Sequence, residues 1–174
     1  MDKIRITKLT KASKAPPLRF LFSHPAHLVA CGFGSGLSPV APGTAGTLFA
    51  WATYSLLRGG MTDIELLIFL AICYVAGIFA ARRTGNDLGA VDHGSIVWDE
   101  IVPFWLVLFV CPPGWLWQMA AFLAFRFFDI VKPQPARFFD ERVKNGFGVM
   151  ADDLVAAIYT VLALMALRYL LIWF

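Results

Sequence analysis

Four polar stretches interrupt an otherwise apolar chain, and their residue types point to anion and cation chemistry. Residues 32–48 hold five glycines and two prolines in 17 residues, which predicts a loop rather than a regular helix. Gly43 and Gly46 let backbone N–H groups approach a ligand, and Thr44 and Thr47 add hydroxyls just before an apolar run. Amides gathered at a helix N-terminus suit phosphate. No Gly-Lys-Ser/Thr follows, so this is not a Walker A loop. The plainer reading is a re-entrant turn packed against other helices.

The other three stretches carry charge. In residues 92–100, Asp92 and Asp99 are seven apart and share a face if the segment is helical. Asp99 and Glu100 stand directly before an apolar run, where carboxylates must be paired, hydrated or bound to a cation. A helix cap explains one of these acids and not all three. Residues 125–137 contain Arg126, Asp129, Lys132 and Arg137, with Pro133 predicted to end a helix whose face carries both Asp129 and Lys132. A snorkelling cation with one salt bridge is the alternative there. In residues 145–154, Asp152 and Asp153 are predicted to open the last apolar helix, as a cap or as ligands for a hard divalent cation. Oxygen-only donors suit Mg²⁺ rather than zinc or copper. Carboxylates, cations and a glycine-threonine loop together describe phosphoryl chemistry.

The elements that must position these groups are apolar helices. Of the 174 residues 59% are hydrophobic and 16% charged, against about 25% charged in a soluble domain. That excludes a disordered chain, a fibrous repeat and a basic nucleic-acid module. Three cysteines without a CxxC and three histidines without HExxH exclude a disulfide framework and a thiolate zinc site. Residues 64–81 and 154–174 are each about the ~20 residues a membrane span needs. Shorter runs at 48–57, 101–110 and 115–125 complete an all-α, small polytopic membrane bundle of about five helices, some of them short or re-entrant. The turn at 111–114 makes the last two of these short runs a hairpin.

Charge orients this bundle. With the N-terminus inside, 13 of the 15 Lys and Arg lie on the cytoplasmic side and only Arg58 and Arg168 outside. All four polar stretches then meet the cytoplasmic face. Residues 1–23 read as a basic cytoplasmic arm lying on anionic lipid, and 24–174 as one membrane-embedded domain.

Several phosphatase solutions are absent. None of the cysteines is followed six positions on by Arg, and there is no Asp-x-Asp-x-Thr. Asp152-Asp153-Leu154 is not the opening of a CDP-alcohol phosphotransferase motif. Metal-activated water attacking a phosphomonoester remains.

The blocks at 34–47, 92–100, 125–135 and 146–153 resemble the signature blocks of the phosphatidylglycerophosphatase A family, in order and spacing, over roughly residues 24–165. The resemblance implies a Mg²⁺-dependent enzyme of the bacterial inner membrane that converts phosphatidylglycerophosphate to phosphatidylglycerol. Carried over, Asp99, Glu100, Asp129, Asp152 and Asp153 would be metal ligands or the base. Thr44, Thr47, Arg126 and Lys132 would hold phosphate, with the amides of Gly43 and Gly46 and the nearby Arg137 in support. His93 is either an acid for the leaving oxygen or a hydrogen-bonded structural residue. The competing class is a membrane protein that binds or transports phosphate or a cation with the same loops, although no inverted repeat is visible. Membrane lipid is the expected partner and nucleic acid is not; the oligomeric state is not legible.

Overall fold

A computed structural model of the chain describes residues 14–173. Among them it has eight α-helices, one 3₁₀ segment and no strand. Three helices are short: α1 (Leu18–Leu21), α2 (Pro25–Ala30) and α7 (Ala136–Arg142). Five are long: α3 (Pro42–Gly60), α4 (Asp63–Leu88), α5 (Trp98–Val110), α6 (Trp115–Val131) and α8 (Gly146–Trp173). Each expected apolar run lies, over its described residues, inside one of the five. The expected basic arm falls largely on residues outside the described range, and its described end is packed, with Leu21 buried.

Two helices, α4 and α8, are long and apolar enough to cross a membrane, with 26 residues each in the qualifying segment. At 1.5 Å per residue that is about 39 Å, more than the ~30 Å hydrocarbon core. Their outward faces are apolar too, with Ile64, Ile68, Ile72 and Phe79 exposed on α4 and Ile158, Leu162 and Met165 on α8. Such a surface suggests membrane association.

Local signals set the helix ends. Thr62 and Glu65 form a reciprocal capping box at the start of α4, the Thr62 N–H donating to Glu65 Oε2 at 2.8 Å. Gly89 closes the same helix at φ 72°, in the left-handed region that favours glycine. Asn145 caps α8, its Oδ1 accepting from the N–H groups of Phe147 and Gly148, both at 3.0 Å. Asp152 and Asp153 therefore sit two turns inside α8 rather than at its opening.

Nine of the thirteen residues of α5 are buried, so this short helix is the core around which the long ones stand. Helices α3, α4 and α8 all pack on it. Indole N–H groups strap it in place. Trp98 Nε1 donates to the Cys73 carbonyl of α4 at 3.0 Å, and Trp105 Nε1 to the Ala50 carbonyl of α3 at 2.9 Å. The crossing of α4 with α5 and α8 depends on Gly77, where a Cβ would lie 2.7 Å from the Trp98 ring and 2.8 Å from Met150 Sδ.

Two expectations are corrected by the backbone. The loop at 32–48 ends at Ala41, because Pro42 begins α3; Gly43, Thr44, Gly46 and Thr47 form its first turns. Asp92 does not share a helix with Asp99, because residues 91–97 turn before α5 starts at Trp98. In that turn His93 is buried, and its Nδ1 accepts from the Ser95 N–H at 3.2 Å, which fits the structural reading of this residue.

A buried polar clasp joins α2 to the end of α4. His27 Nδ1 lies 2.9 Å from Thr84 Oγ1, and Nε2 lies 3.2 Å from Asp87 Oδ2. Burial holds the His27 pKa below its ordinary value, against the pull of Asp87. The unfolded chain therefore takes up a proton first as pH falls. Stability is full above the ordinary histidine value of 6.5 and declines as pH drops through the folded value. We expect the melting temperature to fall between pH 7 and 5 more steeply in the native chain than in His27→Gln. Parallel curves would remove His27 from that dependence.

Candidate active site

Three carboxylates from three helices converge: Glu100 on α5, Asp129 on α6 and Asp153 on α8, each offering an oxygen within 4.8 Å of the others. Asp129 and Asp153 are buried and Glu100 nearly so. One guanidinium serves two of them. Arg126 Nη1 lies 2.7 Å from Asp129 Oδ2, one turn along α6, and 3.0 Å from Glu100 Oε2. The third is left over, for Asp153 Oδ1 is buried with no hydrogen-bond partner among the described residues. So is Arg126 Nε. Buried polar atoms without partners are rare in native folds, and a bound ion or an ordered water is what commonly satisfies them.

The first turns of α3 close one side. The Thr47 hydroxyl donates to the Gly43 carbonyl at 3.0 Å, with Glu100 Oε2 3.3 Å away and Arg126 Nη1 3.5 Å away. Gly43 is required by closeness: a Cβ there would stand 1.9 Å from Glu100 Oε1. We expect Gly43→Ala to keep the fold, because Glu100 can swing away, and to lower kcat by about 10²-fold through that displacement. Unchanged turnover would show that the Glu100 position is not needed.

Lys132 takes a different place from the one its spacing predicts. Helix α6 ends at Val131, and Lys132 adopts φ 47°, a left-handed turn that carries its side chain away from Asp129. Its ammonium instead bridges Asp152 Oδ2 at 2.5 Å and Asp140 Oδ1 of α7 at 3.0 Å. Burial works against that charge, but Asp152, Asp153 and the hydrogen bonds outweigh it and hold the pKa above the ordinary lysine value. Lys132 is a fixed cation beside the carboxylates.

The remaining candidates divide. Asp152 belongs to the Lys132 pair, one helical position from the Asp153 that joins the cluster. Asp99 is buried, and its Oδ1 accepts from the Glu100 N–H at 3.2 Å; it stands behind the cluster rather than in it. Thr44 and Gly46 lie in the first turns of α3, with Gly46 packed against Val97. Arg137 is exposed on α7 and pairs with Glu141 at 2.8 Å, so it is not brought to the carboxylates. Asp140 is the residue that sequence reading passed over; its only signal is its place eight residues after Lys132.

A helical bundle that gathers three acids, a shared arginine and a glycine-rich helix start at one end carries groups suited to phosphoryl chemistry. The comparisons make this specific. Residues 28–168 match the family of phosphatidylglycerophosphatase A, and the chain belongs to that family. It is 48% identical to phosphatidylglycerophosphatase A of Haemophilus influenzae, over 84% of this chain and 90% of that protein. It is 41% identical to phosphatidylglycerophosphatase A of Escherichia coli, over 88% and 89%. A Bacteroides thetaiotaomicron protein, provisionally named a phosphatidylinositol-3-phosphatase, is 40% identical over 83% of this chain and 94% of its own length. No solved structure matches.

Proposed function

We propose that this chain is a membrane-embedded lipid phosphatase that releases the terminal phosphate of phosphatidylglycerophosphate, leaving phosphatidylglycerol. The observation that carries this reading is the convergence of Glu100, Asp129 and Asp153 around a buried, unpartnered carboxylate oxygen. Phosphate or cation transport, the competing class, is not favoured, since the close relatives are named as phosphatases.

Magnesium is the cofactor of this proposal. The donors are all carboxylate oxygens from three rigid helices, which suits a hard cation, and Asp153 Oδ1 has no other partner among the described residues. Bound there, the ion would supply Lewis-acid activation of the phosphoryl group and of water. The chain's own groups do the rest. Arg126, whose Nε is free to donate, and the N–H groups at the start of α3 hold the phosphoryl oxygens and stabilise charge that grows on them. Water attacks phosphorus, the ester bond to glycerol breaks, Asp129 takes the proton that the water gives up, and the leaving glycerol oxygen takes a proton from solvent as the alcohol is released. Lys132, fixed by Asp152 and Asp140, adds positive potential beside the leaving phosphate.

The proposed setting is the bacterial inner membrane, with the site at the cytoplasmic face. What supports it is charge: Arg82, Arg83, Lys132, Arg137, Arg142 and Lys144 stand at the site end of the bundle, where the positive-inside rule puts them in the cytoplasm.

The test is phosphate release from phosphatidylglycerophosphate in detergent micelles, with Mg²⁺ and then with excess EDTA. Release that EDTA abolishes and Mg²⁺ restores supports substrate and cofactor together. Release untouched by EDTA removes the metal and keeps the substrate. No release from folded protein, with phosphate freed instead from phosphatidylinositol 3-phosphate, would move the substrate to the one in the Bacteroides relative's name.

A further inference from the structure

Helices α4 and α8 cross closely at Gly77 and Met150. On the side of that crossing away from the charged end, a groove of about 320 Å³ lies among α4, α5 and α8, lined almost wholly by apolar side chains. Its length on α4 runs from Tyr74 through Ala71 to Leu67, two helical turns or about 10 Å. The floor is Val102, Pro103 and Leu106 of α5, and Leu154 of α8 closes the head.

The head of the groove lies beside the helix turns that carry the carboxylates. Leu154 directly follows Asp153 in α8. Tyr74, half-buried at the head, follows Cys73, whose carbonyl accepts from Trp98 Nε1 at the start of α5, two residues before Glu100. Moving along α4 away from Tyr74 leads away from the carboxylates into purely apolar surface. A polar cluster near the head of an apolar slot fits an amphiphile, phosphate at one end and hydrocarbon at the other.

We propose that this groove seats an acyl chain of the lipid substrate, with the Tyr74 hydroxyl at the junction of chain and headgroup. The proposal rests on the lipid-phosphatase reading and adds to it the face of the bundle by which the lipid is held. Binding of the chain is equal in ground and transition states, so filling the groove should raise KM and spare kcat.

The experiment compares Ala71→Trp, which fills the groove, with Ile72→Trp, which adds the same bulk to an exposed position on α4 outside it. Each is assayed on diacyl phosphatidylglycerophosphate in mixed micelles and on the deacylated headgroup. Ala71→Trp should lower kcat/KM on the diacyl substrate about tenfold relative to the headgroup, and Ile72→Trp should leave that ratio unchanged. Equal ratios in the two variants would overturn the proposal. A second measurement needs neither variant nor turnover: the unaltered protein is photolabelled with phosphatidylglycerophosphate bearing a diazirine in its chain. Labelling of the groove residues that unlabelled phosphatidylglycerophosphate displaces, and phosphatidylcholine does not, supports the seat. Equal displacement by both lipids would mean ordinary bilayer lipid fills the groove, and overturns it. Wild-type protein that hydrolyses neither substrate would sink the phosphatase reading, while the displacement result still decides the groove.

Discussion

Asp153→Asn should abolish turnover and at the same time raise the melting temperature of the metal-free protein. Asp153 is the acid that Arg126 does not reach, and its Oδ1 has no partner among the described residues. Three acids whose oxygens lie within 4.8 Å of one another either repel or force a proton onto one of them, and both oppose folding. Removing one of the three acids relieves that cost without breaking an ion pair. The same change takes away a proposed ligand, so kcat should fall by about 10³-fold or more. Mg²⁺ should stabilise the native chain and leave the variant's melting unmoved. A variant that melts lower than the metal-free native protein, or that keeps near-normal turnover, would refute this account. Stability and activity pull apart here because the site is held together against its own charge.

Arg126→Ala should do the reverse and destabilise the fold. It strands two buried carboxylates, Glu100 and Asp129, whose shared partner is the Arg126 guanidinium. Breaking a buried pair by removing one side costs about 3–5 kcal/mol. Unlike Asp153→Asn, this variant should recover part of its melting temperature when Mg²⁺ is added, because a cation replaces the lost charge. Arg126→Lys should restore more of the stability than of kcat/KM, since one ammonium cannot copy a guanidinium that meets two acids and Thr47. Native melting and turnover in Arg126→Ala would place the arginine outside both the site and the fold.

These contrasts show where the sequence was legible. The five apolar runs and the four polar blocks could be read directly, because a helix that meets lipid needs an unbroken apolar length and a helix start needs its glycine, proline or cap. Which member of each acid pair faces the site could not. Neighbours on a helix point about 100° apart, so Asp99-Glu100 and Asp152-Asp153 each send one carboxylate to the cluster and the other elsewhere. Only the packing of α5 against α3 and α8 decides which. Lys132 was misplaced for a related reason. The three-residue spacing from Asp129 holds only while the helix continues, and α6 stops one residue short of Lys132. The pairing of Lys132 with Asp140 depends on where α7 folds back, which no local pattern encodes.

The three carboxylates are contributed by helices that begin at Trp98, Trp115 and Gly146. A chain emerging from the ribosome and entering the membrane in order therefore carries Glu100 and Asp129, and the arginine that holds them together, before it carries Asp153. The half-made bundle is charge-balanced enough to wait, because two acids share one guanidinium. The proposed cation site would be complete only when the last helix arrives and brings the third, unmatched oxygen. On the magnesium proposal, completion of the bundle and gain of the metal would be the same event, and a protein stalled before its final helix is inserted would be silent rather than unregulated.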